Sequence, residues 1–273
     1  MTSHPNCKIN LGLQVVSRRP DGYHNLQTIF LPVPLCDSLD ISPSDDFSFS
    51  QDGIPVDCPD DQNICVKAYR LLKSEFPQLP PVHIRLSKHI PFGAGLGGGS
   101  SDAAQTLVSI NSLFDLGLSN DELCRLSARI GSDCPFFILN QPAYATGTGD
   151  CLEPIEFQFP IPSLHFVLLK PPISVSTADA YRNIVPKPSP IDLRQAILQP
   201  MSEWRDLIMN DFENPVFRLY PVLADLKQAL YDHGAVYASM SGSGSAIFAF
   251  FKDLPADPLP CEIYRLPASN HTL

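Results

Sequence analysis

His89–Ser101 reads HIPFGAGLGGGSS, and Asp102–Phe114 continues it as DAAQTLVSINSLF. Five glycines occupy the seven positions from Gly93 to Gly99. Ala103, Leu107, Ile110 and Phe114 then recur at helical spacing and mark one apolar face. A glycine-rich loop opening into a helix lets consecutive backbone N–H groups converge without Cβ atoms in the way. Together with the helix N-terminus they make an anion site, and phosphate is its natural ligand. Ser100 or Ser101 can serve as N-cap, and Asp102 is expected in the first turn, where the helix dipole favours an acid. The alternative is a flexible connector. Five glycines carry a large backbone entropy cost for a mere connector, which favours the ligand reading.

The loop is not one of the common nucleotide signatures. No lysine follows the glycines, so GxxxxGK[ST] is absent. Gly93–Gly98 matches GxGxxG literally, but no acid follows about twenty residues on at a strand end, as a dinucleotide fold requires. The VAIK, HRD and DFG segments of protein kinases are also missing.

Working outward, Lys8–Val16 alternates as a strand, Pro20-Asp21-Gly22 signals a turn, and Leu26–Leu35 is a second strand. Ser42–Pro59 is polar and turn-rich and predicts an exposed hairpin. Asn63–Phe76 has helical spacing, and Val82–Leu86 is a short strand. Ser119-Asn120-Asp121-Glu122 has the capping-box form, opening a helix that buries Leu123, Leu126 and Ile130 and ends at Gly131. Asp133 follows, then an expected strand at Pro135–Leu139. In the second half, strands are expected at His165–Leu169, Ala238–Met240 and Ala246–Phe251. A proline-rich connection covers Pro171–Pro190 with a short helix near Ala178–Ile184. One or two helices fall in Asp192–Phe217, and an amphipathic helix runs from Pro221 to His233, ended by Gly234. There is no internal repeat.

The 273 residues suffice for one large domain or two small ones. A net charge of −10 argues against a general nucleic-acid binder, which needs a basic field. It leaves small anionic ligands open, because these answer to the local field. Phe76–Ser101 contains no Asp or Glu but holds Arg85, Lys88 and His89. The eight cysteines are scattered without a CxxC pair, which reads as free buried thiols in a reducing cytoplasm. No apolar run reaches the ~18 residues of a membrane span, and no signal segment opens the chain. The expected location is cytoplasmic. The Cys and His spacing disfavours a zinc site.

The cluster PFGAGLGGGSSDAA resembles the phosphate loop of the GHMP kinases. CKINLGL near the start is similar to that superfamily's first motif, and MSGSGSAIF near the end to its third. PDGYHNLQT, NICVKA, GSDCPFF and NDFENP narrow the resemblance to the 4-diphosphocytidyl-2-C-methyl-D-erythritol kinases. It spans nearly the whole chain, with the C-terminal dozen residues least clear.

That resemblance implies an α+β fold of two domains, residues 1–155 and a ferredoxin-like 156–273, with the active site in the cleft between them. It implies ATP with Mg²⁺, a cytidine-diphosphate sugar alcohol as substrate, no nucleic-acid or membrane partner, and a monomer or weak dimer. Lys8 and Asp133 would be the catalytic pair. Asn63, Pro91, Gly93, Gly95, Leu96, Gly97, Gly98, Gly99, Ser100 and Ser101 would hold ATP, with Asn63 near the adenine and Ser101 capping the helix or touching phosphate or metal. Tyr23 and His24 would read the cytosine, with Tyr181 on its other face. Asn10 and the loop Gly242, Ser243 and Gly244 would support the substrate. No residue is assigned as a metal ligand.

Asp133 either removes the hydroxyl proton or orients the hydroxyl, since a loose phosphoryl transfer needs little base assistance. Taken alone, Asp133 would read as a loop acid, Lys8 as a solvated strand lysine and Tyr23 as an ordinary tyrosine after a turn. Only the surrounding motifs reverse these readings. Two rivals stand beside the main one: a GHMP kinase for a simpler alcohol such as homoserine or mevalonate, and a non-catalytic nucleotide-binding protein of the same fold. Cys7 stands where the family commonly has a small residue such as Ala.

Overall fold

The structure is a computed structural model that describes residues 1–56, 58–156, 164–256 and 258–266. The chain begins with β1 (Thr2–Ser3), β2 (Asn6–Arg18), β3 (His24–Cys36), β4 (Ser38–Pro43) and β5 (Ser48–Gly53). Then come α1 (Ile64–Glu75), β6 (Val82–Lys88), α2 (Gly98–Leu113), α3 (Asn120–Ala128), α4 (Cys134–Leu139), β7 (Ala143–Thr146) and β8 (Cys151–Pro154). The second half holds β9 (His165–Leu169), α5 (Thr177–Arg182), α6 (Leu193–Ala196), α7 (Trp204–Leu207), α8 (Glu213–Leu219), α9 (Pro221–Asp232), β10 (Ala235–Met240), β11 (Ile247–Phe251) and β12 (Glu262–Leu266).

Two compact units divide these elements. The first comprises Met1–Lys8, Pro32–Phe92 and Gly97–Gln141. Its sheet runs β1-β4-β6-β5. β4 is antiparallel to β6 and β5 parallel to it, with Leu39 opposite Leu86 and Phe49 opposite Ile84. The expected hairpin over Ser42–Pro59 is therefore not formed: β4 and β5 lie on opposite sides of β6. Apolar residues of this sheet (Leu39, Ile41, Ile84, Leu86) share one core with Cys65, Ala68 and Leu72 of α1 and Ala103, Leu107 and Ile110 of α2. The helical spacing of those residues is what buries them together.

The second unit comprises Ile9–Leu31, Gly93–Leu96 and Pro142–Leu273. The sheet β10-β11-β9-β12 is antiparallel throughout. Its core joins Val167, Leu169, Ala238, Ile247 and Phe251 of the strands to Val216, Leu223 and Leu230 of α8 and α9. Leu13, Val15 and Leu26 belong to the same core. The sheet order β2-β3-β7-β8 brings Thr28 opposite Ala145 and Ala145 opposite Leu152. This pairing and packing place Ile9–Leu31 with the second unit, whereas a single division at residue 155 assigns them to the first half. β12 completes an edge that the short tail after Cys261 left in question, and 267–273 lie outside the described residues. All eight cysteines are free thiols. Cys7, Cys65 and Cys134 are buried, but Cys151 and Cys261 are exposed, so the expectation of buried thiols holds only in part. Among the described residues no helix is long and apolar enough to cross a membrane.

Candidate active site

In the first unit, α2 begins three residues earlier than the serines suggest. Gly97 is its N-cap, in the left-handed region at φ 70°, and no side chain caps the helix. A Cβ at Gly97 would fall 2.9 Å from Phe137 Cζ and 3.2 Å from Lys8 Cε, so glycine alone fits there. Ser101 donates its N–H to Gly97 O at 2.9 Å. Ser100 and Ser101 thus lie inside the first turn rather than capping it, Ser101 buried and Ser100 half-buried. Gly98, Gly99 and Ser100 contribute the first N–H groups of the helix, which lack intrahelical partners and point out of its end. Asp102 lies past the first turn, where it was expected, and is buried.

A cavity of about 180 Å³ opens beside this helix start, lined by Asn63, Leu86, Lys88, Phe92, Gly99 and Asp102 among others. Asn63 caps α1: its Oδ1 accepts from Cys65 N–H at 2.9 Å, and its Nδ2 donates to Gln51 Oε1 at 3.2 Å. Beneath the cavity lies a buried charge cluster that sequence reasoning missed. Lys88 Nζ donates to Asp37 Oδ2 and, at 2.8 Å, to Asp102 Oδ2. Asp37 Oδ1 accepts the N–H groups of His89 at 2.5 Å and Ile90 at 2.8 Å, fixing the chain where it leaves β6. The acid-free run Phe76–Ser101 is therefore met in space by acids outside it: Asp37 and the adjoining Asp102 at Lys88, and Asp52 at Arg85. Burial, foremost, pushes the Asp102 carboxyl up to about 8, with Asp37 adding and Lys88 opposing. At Lys88 burial is outweighed by the two carboxylates, so its pKa is raised. Asp102 Oδ1 is buried without a hydrogen-bond partner among the described residues.

The same unit brings Lys8 and Asp133 together. The segment after Asp133 is the helix α4, not the expected strand; Pro135 sits in its first turn and Asn140 closes it in the left-handed region. Asp133 precedes that helix without capping it. Its carboxylate lies 3.6 Å from Lys8 Nζ, with side-chain exposures of 32% for Asp133 and 4% for Lys8. Burial lowers the Lys8 pKa against the pull of Asp133. Ser100 lies near as well: burial pushes the Cys134 thiol up to about 12, although a hydrogen bond from Ser100 works the other way.

In the second unit, Asn10 is buried on β2, and its Nδ2 donates to Thr28 Oγ1 at 2.9 Å. Tyr23 is 67% exposed, with its N–H bonded to Asp21 Oδ1. His24 stacks on Tyr181 at 4.9 Å between ring centroids and 21° between planes. Its pKa is lowered by partial burial and by Arg18. Tyr181 meets Phe212 edge-on. The paired aromatics are therefore His24 and Tyr181, with Tyr23 reaching outward beside them in sequence. Ser243 Oγ lies 3.2 Å from Thr177 Oγ1.

The loop arm Gly93–Leu96 belongs to this unit. Leu96 buries its side chain, which leaves only its backbone for a ligand. A Cβ at Gly95 would fall 2.0 Å from Ser241 O. Ser241 Oγ donates to Gly95 O at 2.8 Å and accepts from Asn10 N–H at 3.3 Å. Pro91 is half-buried in the first unit and does not line the cavity, whereas its exposed neighbour Phe92, not anticipated from sequence, does. Among the described residues no group of three His, Cys, Asp or Glu side chains is placed to hold a metal.

The chain is similar to known proteins over most of its length. Residues 63–141 match the GHMP kinases N terminal domain and residues 193–258 the GHMP kinases C terminal family. A 4-diphosphocytidyl-2-C-methyl-D-erythritol kinase of Parabacteroides distasonis is 48% identical over 252 residues, covering 92% of each chain. The enzyme of the same description from Bacteroides fragilis is 47% identical over 255 residues, again 92% of each. A crystal structure of a 4-(cytidine 5'-diphospho)-2C-methyl-D-erythritol kinase superposes with a TM-score of 0.78 at 33% identity, covering 91% of this chain and 89% of that one. Mevalonate kinase from Methanococcus jannaschii, at 12% identity and a TM-score of 0.68 over 92% and 90% of the two chains, shares the fold.

Proposed function

The chain belongs to the 4-diphosphocytidyl-2-C-methyl-D-erythritol kinase family within the GHMP kinases, and from that premise we propose the reaction it performs. It transfers the γ-phosphoryl group of ATP to the 2-hydroxyl of 4-diphosphocytidyl-2-C-methyl-D-erythritol, giving the 2-phosphate and ADP on the non-mevalonate route to isoprenoid precursors. The observation that carries the reading is the Lys8–Asp133 pair lying against the opening of α2, where Lys8 Cε would be 3.2 Å from any Cβ at Gly97.

The residues fit a nucleoside triphosphate. Phosphate oxygens would accept from the first N–H groups of α2, at Gly98, Gly99 and Ser100. The adjoining cavity, with an apolar wall from Ile64, Leu86 and Phe92, suits a purine ring. Asp102 Oδ1, buried and without a partner, offers an acceptor for a ligand donor or a bound water. Mg²⁺ would arrive as the ATP complex. The described residues present no three-ligand acidic cluster, which suits an ion held chiefly by phosphate oxygens and water.

In the transfer, the substrate hydroxyl oxygen bonds to the γ-phosphorus as the bond from that phosphorus to ADP breaks. Asp133 accepts or orients the hydroxyl proton. Lys8, an ammonium in a buried site, pairs with that carboxylate and stabilises charge on the transferring group. Because the transition state is loose, positioning and charge do most of the work. In the second unit, Tyr23 offers an exposed ring for stacking on the cytosine, and the His24–Tyr181 stack offers a second aromatic surface. Asn10 and Gly242–Gly244 support the substrate.

A coupled ADP-release assay over a panel of alcohols tests this. ADP is expected with the cytidine-diphosphate alcohol and not with homoserine or mevalonate. Release with a simpler alcohol alone would overturn the substrate. No release with any alcohol, while ATP still binds, would make the chain a nucleotide-binding protein.

A further inference from the structure

The segment NDFENP stands out in the sequence, yet none of its residues enters the reaction above. Its side chains point to one place. Asn210 is buried, and its carboxamide is fully engaged. Nδ2 donates to Met240 O and to Gly242 O, both at 2.8 Å, and Oδ1 accepts from Phe212 N–H at 3.0 Å. Asp211 Oδ2 accepts from Val15 N–H at 2.8 Å. Glu213 Oε1 accepts from Met240 N–H at 2.8 Å and Ser239 Oγ at 3.1 Å, and its Oε2 is held by Lys227 at 2.6 Å. Three side chains of one short segment thus hold backbone groups of β2, the end of β10 and the glycine loop.

The loop needs such a hold. Gly242 and Gly244 both lie at positive φ. The backbone hydrogen bonds within it are Gly244 N–H to Ser241 O and Ser241 N–H to Ala246 O. Asn210 supplies a donor to the Met240 and Gly242 carbonyls, and Ser239 Oγ adds a longer contact of 3.4 Å to Met240 O. Between them lies Ser241, which bonds Gly95 O. Holding residues 240 and 242 fixes Ser241, and through it the glycine arm at Gly95.

The structure assigns Asn210 as a positioning residue: a double-donor clamp that sets the shape of the Gly242–Gly244 loop and the register of Ser241 against Gly95. Its consequence for turnover rests on the substrate role proposed above for that loop, but the clamp itself does not.

Asn210→Asp separates a clamp from a local helix cap. The carboxylate keeps the acceptor for Phe212 N–H and removes both donors to the loop. Amide hydrogen exchange on the whole chain reads the difference. In the variant, the peptide covering residues 240–246 should exchange about tenfold faster or more, while peptides of α8 and α9 keep their wild-type rates. Unchanged exchange at 240–246, or an equal rise everywhere, would overturn the clamp. If the variant does not fold, the wild-type protein still decides. With ¹⁵N labelling, the Asn210 carboxamide protons should exchange at least about tenfold more slowly than those of an exposed asparagine, and exchange at the exposed rate would overturn the clamp. Steady-state kinetics adds the functional arm, in which the KM for the alcohol should rise more than kcat falls. Wild-type protein that leaves the cytidine-diphosphate alcohol untouched would refute the substrate reading and leave the exchange result standing.

Discussion

Gly99→Ala should make the protein more stable and a poorer binder of ATP. Gly99 is the second residue of α2 and does not have the positive φ of Gly95 or Gly97. The nearest atom to an added Cβ is Ile64 Cγ2 at 3.8 Å, an ordinary van der Waals contact. Nothing in the folded chain therefore requires glycine. Alanine lowers the entropy of the unfolded chain by about 0.4–1 kcal/mol equivalent and favours the helix. For a chain of this size that raises the melting temperature by roughly 1–4 °C. But Gly99 also lines the cavity beside the helix start, and a methyl there takes space proposed for nucleotide. Overpacking costs of about 1–3 kcal/mol correspond to roughly a 5- to 150-fold rise in the KM for ATP. Gly95→Ala is the control, because its Cβ would meet Ser241 O at 2.0 Å from a φ of 77°. It should destabilise by about 2–5 kcal/mol, the sum of left-handed strain and overpacking. The checks are thermal melts without ligand and ATP titrations of the ADP-release rate. A Gly99→Ala protein that melts lower than wild type, or whose KM for ATP stays within about twofold, would show the glycine is not there for a ligand.

Asp133→Asn should lower kcat by about 10²- to 10⁴-fold with ATP affinity unchanged, read by single-turnover kinetics and nucleotide titration. Tyr23→Ala should raise the KM for the cytidine-diphosphate alcohol by roughly 5- to 150-fold, the worth of about 1–3 kcal/mol of base stacking; an unaltered KM would favour a simpler alcohol. Asp102 carries a pH signature. Its carboxyl, pushed up to about 8 by burial, binds a proton more tightly folded than unfolded. The stability from that proton is complete below the ordinary carboxylate range and is lost as pH rises toward 8. Asp102→Asn should therefore gain stability relative to wild type between pH 4 and pH 8, seen as a growing difference in urea midpoint; a constant difference would refute the assignment.

What the sequence made legible was set by local interactions. Asn63 and Ser119 announced the starts of α1 and α3 because a capping side chain acts within three residues of itself. The glycine loop was legible for the same reason, as was the Lys8–Asp133 pair once the surrounding motifs were read together. The misses involve partners far along the chain. β5 forms as a parallel neighbour of β6, whose residues lie more than thirty positions away, so its polar sequence read as a hairpin. Cys134–Leu139 is too short an apolar run for periodicity to distinguish strand from helix, and Pro135 in the first turn decides it. Asp37 carries no local signal; it receives two backbone N–H groups from 52 and 53 residues away. Asp102 was expected in the first turn because the helix start was set at the serines; the helix begins at Gly98, and Asp102 lies past that turn.

The two buried lysines of the first unit differ in how burial and charge balance. Both ammonium groups are buried, so desolvation acts on each in the same direction. Lys88 sits between two buried carboxylates, the Asp102 contact being 2.8 Å, and their attraction outweighs burial and raises its pKa. Lys8 faces Asp133 at a looser 3.6 Å, and that carboxylate is one-third exposed, where water screens it. Burial wins there, and the pKa falls. A further anion beside Lys88 would meet an ammonium already paired with Asp37 and bonded to Asp102. The same anion beside Lys8 would offset, by charge attraction, the desolvation that depresses its pKa. On the reading proposed above, a triphosphate bound at the α2 N-terminus would therefore raise the Lys8 pKa.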